Sequence, residues 1–305
     1  MNKITEQLLR TVSGLSGAFR GAYNIRENGQ CAGRQSTEHI QIESKTDKPG
    51  LVIHIQPGTM GETVYIPACV TNGGIDDLVY NDFYVGAGAD VIIVAGCGVH
   101  TENGEQARHN GIHRFFLEQG AHVLYQEKHI GTGAGTGAKV IDPVTEATLE
   151  PDARLEMDTI QISGVDHTFR KTNAVLKDRA RLVIRERIMT DGQETAKTNF
   201  EVRLSGIDSG VDLVSRSVAR GHSHQAYYSR IIGENRCTGH SECDAILAEQ
   251  GTVEASPTLL AAHADASLIH EAAIGKIAGE QILKLRTLGL TEQQAEQKII
   301  EGFLK

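Results

Sequence analysis

ARLVIRERIMTDGQETAKTNFEVRLSGIDSGVDLVSRSVA, residues 180–219, decides the fold class. It holds three runs, Ala180–Thr190, Asn199–Gly206 and Val211–Ala219, rich in Val, Ile and Leu and bounded by Gly, Asp or Ser. Apolar and polar residues alternate through them, the pattern of half-buried strands. The linkers between the runs are too short and too polar for crossover helices. Working outward, the same texture extends from about residue 38 to residue 263. HIQIES, LVIHIQPG, ETVYIPACV, DVIIVAG, HVLYQEKHI and RLEMDTIQISG precede the segment, and QAYYSRIIG follows it. Only EQARHNGIHRFFLEQG could add a turn or two of helix. A long strand series without crossover helices excludes a doubly wound α/β fold and leaves a sandwich, a barrel or a stacked β-solenoid. From residue 155 onward the run centres lie 13–25 residues apart and hairpin dipeptides are scarce, as in the coils of a parallel β-helix. Periodicity alone leaves the sandwich open beside it.

The two ends read differently. KITEQLLRTVS, residues 3–13, places Ile4, Leu8, Leu9 and Val12 at helical spacing, with Gly14 and Gly17 as stops. SLIHEAAIGKIAGEQILKLRTLG, residues 267–289, predicts a helix from Leu268 to about Leu285 that closes at Gly289. A second helix follows, opened by a Thr291/Gln294 capping box and striped by Ala295, Ile299, Ile300 and Phe303. The expected division is an N-terminal helical segment over 1–37, a β core over 38–263 and a C-terminal helical segment over 264–305.

Composition narrows the function classes. Of 305 residues 40% are hydrophobic and 23% charged, which excludes global disorder. A net charge of −9 without a basic run argues against nucleic-acid binding. No apolar stretch approaches the roughly 18–20 residues of a membrane span, and MNKITEQLLR lacks the apolar core of a signal peptide, so a cytoplasmic protein is expected. Cys31, Cys69, Cys97, Cys237 and Cys243 are odd in number and scattered, which suits reduced thiols.

GTGAGTGAK (131–139) lacks the Gly-Lys-Ser/Thr and the following helix of a phosphate loop, and reads as a turn-rich loop of the β body. His270-Glu271 has no second His four residues on, which excludes a zincin, and GHSH (221–224) is no nucleophile elbow. Cys97 and His100, near His109 and His113, read as structural rather than ligating. CTGHSEC (237–243) is the most suggestive thiol site, because thiolates and imidazole together bind zinc or iron–sulfur species. On an extended strand its two cysteines lie about 20 Å apart, so a shared metal requires a turn at Thr238-Gly239. The plainer alternative is two buried cysteines and a satisfied histidine. A zinc-dependent hydrolase on Cys237, His240 and Cys243, with an open water position, is the enzyme reading this cluster raises.

CTGHSECDAIL and then LIHEAAIGKIAGEQILKLRTLGLTEQQAEQKIIEGFL, with SRSVA, DHTFRKT and GAGADVIIVAGCGVH upstream, closely resemble the SufB/SufD scaffold family of iron–sulfur cluster assembly. The likeness covers most of the chain and is strongest to the short archaeal and anaerobe-type (SmsB-like) members. It implies a right-handed parallel β-helix with a short N-terminal helix and a C-terminal helical hairpin. It also implies a non-catalytic scaffold for a transient iron–sulfur cluster, 2Fe–2S or 4Fe–4S, that is passed to recipient apo-proteins. A SufC-like ABC-type ATPase would dock on the C-terminal helices, which agrees with the missing Walker motif, and pairing would be as a homodimer or with a SufB/SufD-type paralogue. The family's Cys-Asp cysteine falls on Cys243 and its His-Glu pair on His270 and Glu271, with Cys237 and His240 as additional candidate ligands. Adjacent residues diverge on either a strand or a helix, so one of His270 and Glu271 is expected to ligate while the other supports it. The long N-terminal extension and most cysteines of bacterial SufB have no counterpart here, which weighs against the bacterial internal sulfur route and a dedicated cysteine desulfurase partner.

Overall fold

The computed structural model describes residues 3–14 and 21–305. The first helix, α1, spans Lys3–Ser13 and buries Leu8, Leu9 and Val12 on the strands beneath it. Gly14 ends it in the left-handed region at φ +69°, its amide donating to the Arg10 carbonyl. Gly17 lies outside the described residues. Close docking of α1 depends on missing side chains: a Cβ at Gly96 would stand 2.7 Å from Val12 Cβ.

The body consists of two ten-stranded sheets. One runs from Gln30–Gln35 and Ala22–Glu27 at its first edge, through Asp90–His100, Arg154–Gln161, Arg181–Thr190 and Ser209–Ala219, to Cys237–Leu247 and Ala266–Gly275 at the other. The second runs from Ile40–Ser44 to Thr252–Ala261. Successive strands alternate between the sheets and pair in parallel with the strand one coil earlier. Among the described residues antiparallel pairs occur only near the start, between Ala22–Glu27 and Gln30–Gln35 and between Ile40–Ser44 and Gly50–Ile55. The register Arg181↔Gly210↔Thr238↔Ser267 gives coils of 29, 28 and 29 residues, by subtraction along the chain. The runs of the sequence are thus half-coils of a parallel β-solenoid, and the sandwich alternative falls away. At one corner, six coils in succession take a left-handed residue, Gly58, Gly88 and Gly120 and then Asp152, Arg179 and Asp208. Asp and Arg tolerate that conformation less well than Gly. Here they gain bidentate pairs between successive corners, Arg179 with Asp152 and Arg236 with Asp208.

Three expectations are corrected. EQARHNGIHRFFLEQG contains no helical turn: Ala107–Leu117 is a strand with strict burial alternation. Within 1–37 only Lys3–Ser13 is helical among the described residues, and 22–35 form the antiparallel edge of the first sheet. The helix expected from Leu268 begins only at Gly279, as α2 (Gly279–Thr287), followed by α3 (Glu292–Phe303) with the expected Thr291/Gln294 capping box. Ala266–Gly275 instead forms the last strand, in register with Cys237–Leu247. Its small and apolar residues satisfy both a helical stripe and strand alternation, and an open sheet edge offering a row of backbone partners decides between them.

Between the sheets an apolar core runs beside a file of buried polar side chains. Phe83 and Phe115 stack at 4.8 Å, and Tyr125 meets Phe115 edge-on at 5.1 Å. Beyond them Tyr125 Oη donates to Glu127 at 2.8 Å and accepts from His113 Nδ1 at 3.0 Å. Arg170 lies wholly inside, with Nη1 2.6 Å from Glu127 and Nε 3.3 Å from Glu186. Burial alone would raise the Glu127 carboxyl, but Arg170 and His129 outweigh it and hold it well below the usual range. For Glu186 burial wins, and its carboxyl is raised despite Arg170 and hydrogen bonds donated by Ser215 and Thr198. One guanidinium thus keeps one ionised carboxylate and leaves the second biased toward its proton.

Candidate metal and cluster site

The sequence-derived candidates all fall on the last two strands of the first sheet, Cys237–Leu247 and Ala266–Gly275. Alternation along Cys237–Leu247 sends Cys237, Gly239, Ser241 and Cys243 into the solenoid and His240, Glu242 and Asp244 outward. Pairing with Ala266–Gly275 sets His270 beside Ser241, Ala272 beside Cys243 and Glu271 beside Glu242. His270 therefore shares the inner face with Cys243, one strand across and two residues back. Strand spacing and rise put their Cα atoms about 8 Å apart, a span that one metal or cluster can bridge. Glu271 faces out. The divergence of the adjacent pair follows from the strand that replaces the expected helix.

On the inner face Cys243 is 1% exposed, and burial, helped by Glu186 and then Asp244, pushes its thiol up to about 12. It borders a cavity of about 10 Å³ shared with Glu186, Thr198, Ser215 and Tyr227, room for about one water. Register continues the polar file to this point, through Thr159, Glu186 and Ser215 to Cys243. His270 Nδ1 lies 3.0 Å from the Ser241 carbonyl and donates to it, which fixes the ring and leaves Nε2 free of that bond. Tyr227 and Ser229 both reach the Ser241 hydroxyl, at 3.0 and 2.9 Å, and hold the strand between the two candidates.

The Cys237/His240/Cys243 cluster does not form. The register runs unbroken from Ser209↔Cys237 to Ala219↔Leu247, so no turn occurs at Thr238-Gly239. Six residues of extended chain separate the two sulfurs by about 20 Å, and His240 lies on the opposite face. No three-ligand zinc site exists there, which removes the basis of the hydrolase reading. Cys237 is a buried thiol at a coil corner, its pKa raised by burial. Cys97 is likewise buried, and His109 is held by Asp77 at 3.0 Å.

A family model described as "SUF system FeS cluster assembly, SufBD core domain" matches residues 80–303, a stretch that includes every residue of both faces just described. The chain belongs to the SufBD family. A SufBD family protein of Archaeoglobus fulgidus is 26% identical over 275 residues, covering 89% of this chain and 72% of the relative. One from Methanothermobacter thermautotrophicus is 27% identical over 270 residues, covering 86% of this chain and 64% of the relative. Another, from Pyrococcus horikoshii, is 26% identical over 201 residues, covering 64% of this chain and 60% of the relative. This SufBD chain is thus of the short archaeal type and spans roughly two thirds of the length of such relatives.

The outer face of the SufBD chain holds residues the sequence did not single out. His240 Nε2 lies 3.9 Å from Glu271, while His240 Nδ1 is 2.8 Å from Asp212 on the neighbouring strand. Glu242 completes the group, and burial together with Asp244 raises its carboxyl. Glu242 and Asp212 become visible as partners only once the coil length of 28 or 29 residues is known, since Asp212 lies 28 residues before His240 and Glu271 lies 29 after Glu242. Among the described residues no helix is long and apolar enough to cross a membrane.

Proposed function

We propose that this chain is the scaffold subunit of a SUF-type complex, building an iron–sulfur cluster as cargo and passing it to recipient apo-proteins with the help of a SufC-like ABC-type ATPase. The observation that carries the reading is the shared inner face of Cys243 and His270 at the open end of the solenoid. Sulfur and imidazole donors of that kind suit iron–sulfur ligation. Because burial pushes the Cys243 thiol up, loading must displace its proton, and the small cavity beside it has room for about one water to receive it. His270 supplies the second donor through Nε2. Glu271, on the other face, is not placed to complete the same shell within one chain.

The free edges support pairing. Thr252–Ala261 and Ala266–Gly275 each present an unpaired row of backbone groups, with Leu259, Leu260, Ile269 and Ile274 exposed beside them. Long open edges invite another chain. A second copy or a SufB/SufD-type paralogue laid edge to edge would bury both ends and enclose His270. The ATPase is assigned to the C-terminal helices. No residue of α2 is buried, while Ile300 of α3 and Leu304 beyond it pack on Val218 of the body. A groove of about 820 Å³, lined by Ile274, Ile277, Gln281, Ile299 and Phe303, runs between the last strand and the helices. Leu283 and Leu288 stand 60% and 75% exposed beyond it.

Leu283→Glu and Leu288→Glu test the docking assignment. Both positions are exposed, so melting should move by no more than about 0.5 kcal/mol equivalent. Each variant is expected to lose most of the ATPase that co-purifies with the wild type. Full retention by both would place the ATPase elsewhere. The reading as a whole is tested by anaerobic reconstitution with ferrous iron and sulfide in the presence of the ATPase. A visible iron–sulfur chromophore is expected, and a colourless protein under those conditions would refute it.

A further inference from the structure

We infer that His240, Glu242 and Glu271 form a divalent-cation site on the outer face of the solenoid, separate from the inner face that carries Cys243 and His270. One donor atom from each of the three lies within 4.8 Å of the other two. Two ligands about 2.2 Å from one first-row cation can stand at most about 4.4 Å apart, so these side chains need draw in by only a few tenths of an ångström to hold a single ion among them.

The arrangement is more than exposed carboxylates on a surface. The imidazole is oriented by a carboxylate of its own: Asp212 Oδ1 accepts from His240 Nδ1 at 2.8 Å, which leaves Nε2 as the free donor, turned toward Glu271 3.9 Å away. A carboxylate behind the ring and a lone pair in front is the orientation ligating histidines adopt in metal sites, where it fixes the tautomer and raises basicity. Backbone hydrogen bonds hold the geometry. His240 and Glu242 project from the same face of one strand, and the ladder brings Glu271 directly opposite Glu242. Two carboxylates in cross-strand register repel one another. Glu271, 68% exposed on an edge strand, could turn away into solvent, yet it points back to His240. A cation among the three would turn the repulsion into attraction.

The donor set, one imidazole nitrogen and carboxylate oxygens with no sulfur, selects borderline divalent ions such as ferrous, manganous, cobaltous or zinc ions. Three protein ligands leave positions open for water, so bound metal should exchange readily. His270 and Glu271 then serve different metals on opposite faces of one strand. The further reading that the resident ion is ferrous iron held next to the assembly face rests on the proposed scaffold function; the cation site itself does not.

Anaerobic titration of the full chain with cobalt(II) alone separates these points, because thiolate-bound cobalt shows a strong sulfur-to-metal charge-transfer band and cobalt held by nitrogen and oxygen does not. One cobalt per chain is expected without that band. His240→Ala should weaken binding at least roughly tenfold, and Asp212→Asn, which touches no metal, should weaken it by about 10–100-fold. Glu242→Gln, on the exposed face and harmless to folding, should act as His240→Ala does. Cys243→Ser should keep the cobalt bound through nitrogen and oxygen, because that site lies on the opposite face of the strand. Absence of binding in the wild type, retention of affinity in both His240→Ala and Glu242→Gln, or a charge-transfer band that disappears with Cys243 would each overturn the proposal. Failure of cluster reconstitution with cobalt binding intact would count against the scaffold reading and leave this site standing.

Discussion

Cys243→Ser, reconstituted anaerobically beside the wild type, is expected to retain roughly a tenth or less of the wild-type cluster, since a hydroxyl is a hard, weakly acidic donor and cannot replace a soft thiolate toward iron. The wild-type thiol is itself held protonated, pushed up to about 12 by burial and by Glu186. Its proton must be displaced on loading, and metal binding supplies the energy to do so. A serine hydroxyl is much harder to deprotonate and offers no comparable bond in return. Stability should change little, within about 1 kcal/mol, because the new hydroxyl faces Ser215 and a cavity of about 10 Å³ that can hold a water. Visible absorption and iron content after desalting measure the first quantity, and a urea transition the second. A cluster band of wild-type strength would remove Cys243 from the site, while a variant that fails to fold would be recognised by its missing urea transition. In that event Cys243→Ala repeats the test without introducing a polar atom into the core.

Arg170→Ala should destabilise the solenoid strongly, by about 3–5 kcal/mol. The guanidinium lies inside, 2.6 Å from Glu127 and 3.3 Å from Glu186, with Tyr125, His113 and His129 around it. Removal leaves the Glu127 carboxylate buried without its cation, and that uncompensated charge, more than the lost pair, sets the cost. Arg170→Met should be nearly as damaging although it restores volume, since both carboxylates remain. A shift in the urea midpoint at unchanged slope reads the effect. A loss below about 1 kcal/mol would mean that water already shares the site. Because Glu186 donates or withholds charge next to Cys243, the same substitution is also expected to reduce cluster retention, linking the polar file to the candidate site.

Much of the fold was legible because strand alternation is local. Residues 180–219 alternate as their burial does, and the absence of crossover helices left few architectures open. The coil length was not legible, because it is a property of register, set by corner residues such as Asp152, Arg179 and Asp208 whose left-handed backbone no sequence pattern announces. Ala266–Gly275 was misread for a related reason: a run of small and apolar residues fits two periodicities, and the deciding partner, Cys237–Leu247, lies a full coil earlier. The site divided along the same line. Cys243 and His270 could be picked out by their types and by family likeness, whereas placing Glu242, Asp212 and His240 together required knowing which residues stack across coils. Spacing alone groups His240 with two cysteines three residues away on either side. Alternation puts it on the other face, beside carboxylates 28 residues before it and 31 after it, by subtraction from Asp212 and Glu271.

Iron, zinc and acid-labile sulfide, measured on the chain purified without oxygen together with a co-expressed ATPase of the SufC kind, test the central claim most directly. A cluster scaffold should carry iron and sulfide in near-equal amounts, both lost in Cys243→Ser and both released to an added apo-protein. Stoichiometric zinc without sulfide, or iron without sulfide that survives the loss of Cys243, would contradict it.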